Sequence, residues 1–245
     1  MSMLSFDMSK PWRELSLVSV DVETTGLDVK TARVIEVGIV RIEGGTIVDR
    51  WGSLVDPGMP LPPKITEITG IKDEDLKGKP TFRELKWDVY GRLRDRVFCA
   101  YNSAYDWGIL HHAMERVGMT MPQIPILDPL VWARRLMPNE RRHNLGAVCS
   151  KLGVDLENAH RAVDDAEAAG KVMMRFADKV PLELGALLEQ QQAWREEQDK
   201  AMAERRARRA ATKAANARPG AEDKARSQKP VGKTDEPSNT QTGLF

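Results

Sequence analysis

Apolar and polar positions along the chain follow first a two-residue and then a helical spacing. Leu15–Val22 is rich in Leu and Val and runs into Glu23-Thr24-Thr25-Gly26, which predicts a buried strand ending in a turn. Arg33–Ile42 and Thr46–Leu54 flank Glu43-Gly44-Gly45, a hairpin signal, so three antiparallel strands open the fold. Pro60, Pro62 and Pro63 mark a loop, and the stretch from Ile65 forms a short helix stopped at Gly70. Thr81 caps an amphipathic helix to about Arg94, with Phe82, Leu85, Val89 and Leu93 on its apolar face. Arg96–Tyr101 is a short strand, Ala104–Val117 a helix, and Ile124–Asp128 an edge strand followed by a helix to Leu136. Asn144 caps a short helix ending at Gly153, and Ala162–Ala177 is the last helix of the body. This βββαβαβαα order predicts an α/β fold, a mixed sheet with helices on both faces.

From Pro181 the pattern changes. Leu182, Leu184, Leu187, Leu188 and Trp194 can still pack, but beyond Trp194 the chain is rich in Ala, Arg, Glu and Lys with almost no apolar face. Residues 218–245 have a disordered composition. The expected division is a body over 14–180, a charged helical arm over 181–217 and a disordered tail over 218–245. Charge divides in the same direction. Residues 1–199 carry 26 basic and 31 acidic side chains, a net of −5, whereas 200–245 carry 11 and 5, a net of +6. An acidic body with a basic arm fits either a solubilising tail or attraction to nucleic acid.

Composition limits the setting. Hydrophobic residues at 41% suffice for a core. Cys99 and Cys149 lie in apolar stretches and read as buried small hydrophobes in a reducing compartment. The polar N-terminus has no apolar signal-peptide region, and no run approaches a membrane span, so the expected location is cytoplasmic.

Three short segments carry chemistry: Ser19-Val20-Asp21-Val22-Glu23-Thr24-Thr25-Gly26-Leu27, then Tyr101-Asn102-Ser103-Ala104-Tyr105-Asp106, then His160-Arg161-Ala162-Val163-Asp164-Asp165. Acidic residues that interrupt apolar elements are costly to bury unless paired or holding a metal. Asp21 and Glu23, two apart on a strand, project from one face, while Asp106 and Asp165 fall near helix starts and can approach from neighbouring elements. Oxygen donors of this kind suit hard divalent cations, and there is no Cys/His cluster that would favour zinc.

In order and spacing, the three segments resemble the DEDDh family of 3′→5′ exonucleases, whose best-known type is the proofreading epsilon subunit of bacterial replicative polymerases. The resemblance covers roughly residues 14–178. It implies an RNase H-like fold and a two-metal mechanism with Mg²⁺ or Mn²⁺, the ions roughly 4 Å apart. It makes Asp21, Glu23, Asp106 and Asp165 the metal ligands and His160 the general base, a role that suits imidazole. Tyrosine-type relatives carry Tyr four residues before the last Asp. Here that position is Arg161, and His160 stands five before Asp165. The family spacing also selects Asp165 over Asp164, which is left to the solvated face, and Asp128 reads as structural. By resemblance, Thr24, Thr25 and Gly26 hold the terminal nucleotide, Leu27 wedges against the last base, and Asn102 lies near the scissile end. Tyr101 departs from the His common at that family position, which leaves its substrate contact open. Arg134, Arg135, Arg141 and Arg142 are candidate phosphate contacts as much as a solvated basic loop.

The chain ends Gln241-Thr242-Gly243-Leu244-Phe245, which resembles the Gln-x-x-Leu-Phe peptide that binds bacterial sliding clamps. Gln241, Leu244 and Phe245 would make that contact from a flexible tether with a root-mean-square span of roughly 30 Å. The leading expectation is a 3′→5′ exonuclease on single-stranded or frayed DNA 3′ ends, in proofreading or repair, with any polymerase supplied separately. An RNA exonuclease is the second reading, because contacts to the 2′-hydroxyl are not visible in sequence. A non-catalytic adaptor for a clamp or polymerase is the third.

Overall fold

β-branched and leucine side chains build the first three strands, β1 (Leu17–Thr24), β2 (Val34–Glu43) and β3 (Thr46–Leu54). Gly44 and Gly45, with φ of 55° and 79°, close the β2–β3 hairpin in a conformation that glycine adopts without a Cβ penalty. In this computed structural model, which describes residues 6–216 with side chains as far as 213, three helices follow: α1 (Pro63–Thr69), α2 (Asp73–Leu76) and α3 (Phe82–Leu93). Gly70 ends α1 in the left-handed conformation. At the start of α3 the Glu84 carboxylate accepts from the Thr81 N–H at 2.7 Å. Strand β4 (Val97–Cys99), helix α4 (Ser103–Arg116), strand β5 (Ile126–Leu127), and helices α5 (Pro129–Leu136), α6 (Leu145–Leu152) and α7 (Ala162–Arg175) complete the expected series. A final helix, α8, runs over Leu184–Asn216.

The strands form one five-stranded mixed sheet in the order β3-β2-β1-β4-β5. β1 is antiparallel to β2 and parallel to β4, and β4 is parallel to β5. Alternation along β1 divides the core. Leu17, with Val40 and Cys99, faces a layer containing Trp132, Cys149, Val172 and Leu187. Val18, Val20 and Val22 face a layer containing Val89, Leu93, Ile109 and Leu110. Helices thus cover both faces, as the element pattern predicts. Both cysteines are free and buried.

Element ends shift by a few residues from expectation. The small helix α2 and the 3-10 turns Trp12–Glu14 and Ala177–Lys179 were not anticipated. The larger correction concerns the body's limits. Trp12 is fully buried, its indole Nε1 donates to the Pro181 carbonyl at 3.1 Å, and its ring stands edge-on to Trp132 at 5.8 Å. Leu184, Leu187, Gln191 and Trp194 are buried as well. The body therefore begins before residue 14 and takes in the first part of α8. One compact unit extends to Asp199, and a second starts at Lys200. The expected tail over 218–245, with Gln241, Leu244 and Phe245, lies outside the described residues.

Two glycines set the closeness of α7 to the sheet. A Cβ on Gly38 would fall 2.2–2.4 Å from backbone atoms of Ala162 and Val163, and one on Gly52 would meet a Val163 methyl at 2.3 Å. We expect Gly38→Ala to cost about 1–3 kcal/mol or more by forcing the helix start off the sheet. Gly91→Ala, on α3, meets nothing within 4 Å and should be neutral or gain roughly 0.5–1 kcal/mol through helix propensity. Chemical denaturation of the two variants checks this, and equal losses would contradict the packing argument.

Candidate active site

The sheet opens at the C-terminal end of β1. Pairing with β4 covers only Leu17–Ser19, so Asp21 and Glu23 lie beyond it. Across on β2 their partners are Gly38 and Glu36. Asp106 arrives from the first turn of α4, where its Oδ1 accepts the Val22 N–H at 3.1 Å. Asp165 arrives from the opposite layer, in the first turn of α7. The loop before α7 brings His160, held at φ 70° by a bond from its N–H to Asp165 Oδ2 at 2.8 Å. These five residues line one cleft of about 400 Å³, together with Tyr101, Tyr105 and the Asn144–Gly146 segment. Donor atoms of Glu23, His160 and Asp165 lie within 4.8 Å of one another.

Such convergence is electrostatically unfavourable. Desolvation raises the Asp21 pKa well above the ordinary carboxylate value, and Asp106, Asp165 and Glu23 raise it further by repulsion. Desolvation, then Asp165 and Glu36, push Glu23 up to about 8. Asp106 and Asp165 are also raised, mainly by burial, against hydrogen bonds from the Val22 and His160 amides that favour the charged form. The Arg161 guanidinium works against the rise at Glu23 but is itself engaged by Glu36, with Nη2–Oε1 at 2.8 Å. Hard carboxylate oxygens crowded in this way fit a hard divalent cation and give no preference for a soft-ligand metal.

The expected substrate contacts divide. Thr24, Thr25, Gly26, Leu27 and Asn102 are not among the residues lining the cleft. Thr25 Oγ1 accepts from the Arg33 N–H at 3.0 Å, and Thr24 Oγ1 lies 2.6 Å from the Gly26 carbonyl and 2.7 Å from the Tyr105 hydroxyl. These two threonines therefore build the turn. At its tip Leu27 is 86% exposed, a large apolar side chain left uncovered by the described residues. Asn102 is exposed at φ 75°, its N–H donating to Asp128 at 3.1 Å. Arg141 and Arg142 are exposed in the loop leading to Asn144, whereas Arg135 pairs with Glu197 at 3.1 Å.

Sequence reasoning passed over Glu36 and Tyr105. Glu36 is 4% exposed, pairs in register with Glu23, binds the Arg161 guanidinium, and accepts the Ala162 N–H at 3.2 Å. It fixes the segment between His160 and Asp165. Its signal was a lone acid inside the apolar run Val34–Val40. A second group, His111, His112 and Glu115, gathers on one side of α4 as the helix-face reading expected. His143 is a cap, with Nε2 2.9 Å from the Met137 carbonyl.

Residues 18–173 match the family model RNase_T, described as exonuclease. The chain belongs to this exonuclease family. Among curated relatives, the PolC-type DNA polymerase III of Halalkalibacterium halodurans is 35% identical over 166 residues, 68% of this chain and 12% of that protein. The corresponding enzyme of Clostridium perfringens is 37% identical over 153 residues, 62% of this chain and 10% of that protein. The exonuclease-family chain thus spans only about an eighth or less of these relatives. Among solved structures, Exonuclease X in complex with 5′ overhanging duplex DNA superposes with a TM-score of 0.58 at 20% identity, covering 71% of this chain and 99% of the other. E. coli Exonuclease I in complex with a dT13 oligonucleotide gives 0.60 at 16% identity, covering 67% and 41%. The fold is the RNase H-like exonuclease fold.

Raised carboxylate pKa values make an exonuclease of this build less stable as pH rises. The unfolded chain ionises near pH 4, so stability declines from there until the folded values are passed, about 8 for Glu23. We expect the chelated protein to show a Tm falling between pH 5 and 8, and millimolar Mg²⁺ or Mn²⁺ to flatten or reverse that trend. A Tm insensitive to the cation at pH 8 would count against a metal centre.

Proposed function

We propose that the chain is a 3′→5′ exonuclease that trims single-stranded or frayed DNA 3′ ends to 5′-monophosphates, in proofreading or repair. The observation carrying this reading is the meeting of Asp21, Glu23, Asp106, Asp165 and His160 in one cleft of an exonuclease-family fold. The four carboxylates would hold two Mg²⁺ or Mn²⁺ ions, which would supply water activation and neutralise charge at the phosphate. His160 takes the attacking water's proton on an imidazole nitrogen, and its exposed position on a loop lets it meet substrate. Asp165 holds that loop through the His160 amide, and Glu36 holds it through Arg161. In this reading Leu27, exposed beyond the β1 turn, would stack against the last base, and Asn102, at the start of α4, would lie near the scissile end. Arg141 and Arg142 offer charge to the strand's phosphates.

The DNA preference draws on relatives named DNA polymerase III and on fold neighbours solved with DNA. The relatives' match, a small part of a DNA polymerase III, supports a role in proofreading. The Gln241–Phe245 peptide, with Gln241, Leu244 and Phe245 as contacts, would tether the enzyme to a bacterial sliding clamp. Removal of those five residues should abolish co-elution with such a clamp and leave cleavage of free oligonucleotides unchanged. Unaltered clamp binding would refute the tether.

A 5′-labelled single-stranded DNA oligonucleotide, incubated beside a matched RNA, tests the central reading. The expected result is a ladder shortening from the 3′ end of DNA, lost with chelator. Asp21→Ala or Asp165→Asn should abolish turnover, and His160→Ala should cost about 10²–10⁴ in rate while leaving Mn²⁺ binding mostly intact. RNA cleaved in preference to DNA would replace the substrate assignment, and neither cleaved would leave the adaptor reading.

A further inference from the structure

The family match stops at residue 173, yet α8 grips Asp128, which in turn holds the start of α4, the helix that carries Asp106. Asp128 is 1% exposed and caps α5. Its Oδ1 accepts from the Asn102 N–H at 3.1 Å and the Leu130 N–H at 3.0 Å. Its Oδ2 accepts from the Ser103 N–H at 3.0 Å, the Ser103 hydroxyl at 3.1 Å and Arg195 Nη2 at 2.9 Å. A buried carboxylate is costly without a partner of opposite charge, and among the described residues Arg195 is the cation paired with it. One turn earlier on α8, Gln191 holds the same place through the main chain. Its Oε1 accepts the Asp128 N–H at 2.7 Å and the Trp132 indole N–H at 2.9 Å, while its Nε2 donates to the Ile126 carbonyl at 3.0 Å.

Asn102 and Ser103 matter because they begin α4. Asn102 adopts φ 75° and ψ 51°, a conformation that costs a non-glycine residue energy and persists only when its surroundings hold it. Asp106 sits in the turn that follows and reaches back to the Val22 amide. We propose that Arg195 and Gln191 are positioning residues for Asp106, acting through Asp128 and the left-handed Asn102 turn. The nuclease centre then depends on a helix outside residues 18–173, which the family model matches. This inference rests on the nuclease reading above.

The test uses the full chain and the variants Arg195→Ala, Arg195→Lys and Glu197→Ala. Glu197 serves as the control because it lies on the same helix as Arg195 and its ion pair with Arg135 is exposed. Amide hydrogen exchange over Asn102–Asp106 is measured beside kcat and KM on 5′-labelled single-stranded DNA with Mg²⁺. Arg195→Ala should speed exchange at Asn102 and Ser103 and lower kcat roughly ten- to a hundredfold, with KM nearly unchanged. Arg195→Lys should restore most of both, and Glu197→Ala should change neither. If Arg195→Ala lowers Tm but leaves exchange over Asn102–Asp106 and kcat at wild-type values, Arg195 is a stability residue and the proposal fails. Should Arg195→Ala not fold, Arg195→Gln, neutral but able to donate, gives the same comparison. Exchange is read without turnover, so an inactive wild type would overturn the nuclease reading and still leave the coupling to be decided.

Discussion

Mutual repulsion among four carboxylates is the constraint around which this chain is organised. Asp21, Glu23, Asp106 and Asp165 come from one strand and two helices on opposite faces of the sheet, and burial makes each harder to ionise than a free carboxylate. Nothing about their own interaction would assemble them. Packing elsewhere has to impose the cluster, through the apolar layers on each side of β1 and through the glycine contacts that seat α7. The strained backbone of the chain gathers at the same place. Of the three non-glycine residues with positive φ among the described residues, Asn102 and His160 flank the cleft. Each is held by a carboxylate accepting a main-chain amide, Asp128 for one and Asp165 for the other.

Much of this was legible in the sequence, for reasons that can be named. Strands and helices followed from period and punctuation: Gly44-Gly45 for the hairpin, Gly70 and Gly153 for helix ends, Thr81 and Asn144 for helix starts. The five residues of the cleft were readable because a catalytic motif fixes residue type and spacing together. Three things were not readable. The four-residue α2 is too short to show a period. Glu36 was visible as an acid in an apolar strand, but its pairing with Arg161 joins positions 125 apart in sequence. The roles of Thr24 and Thr25 depend on which partner a hydroxyl meets, and here Thr25 meets the Arg33 N–H while Thr24 meets the Gly26 carbonyl and the Tyr105 hydroxyl.

The domain boundary shows a different kind of miss. Composition changes at Pro181, and a boundary drawn there looks natural. Burial changes later, because α8 keeps Leu184, Leu187, Gln191 and Trp194 against the body before its sequence turns to alanine and charged residues. A helix can belong to a core for its first few turns only, with no break in its own hydrogen bonding where that core ends. Sequence composition averages over that transition, whereas contacts locate it.

Gln191 also changes what kind of sheet this is. Strand β5 is two residues long and lies at the edge, where a row of free main-chain groups invites another strand to add. The Gln191 amide group occupies the Ile126 carbonyl and the Asp128 N–H, so a side chain takes the place of a sixth strand. The opposite edge, β3, is left open and alternates exposed with half-buried positions, among them the charged Asp49 and Arg50. One edge is thus closed by a helix and the other guarded by charge, two separate defences against chains joining sheet to sheet.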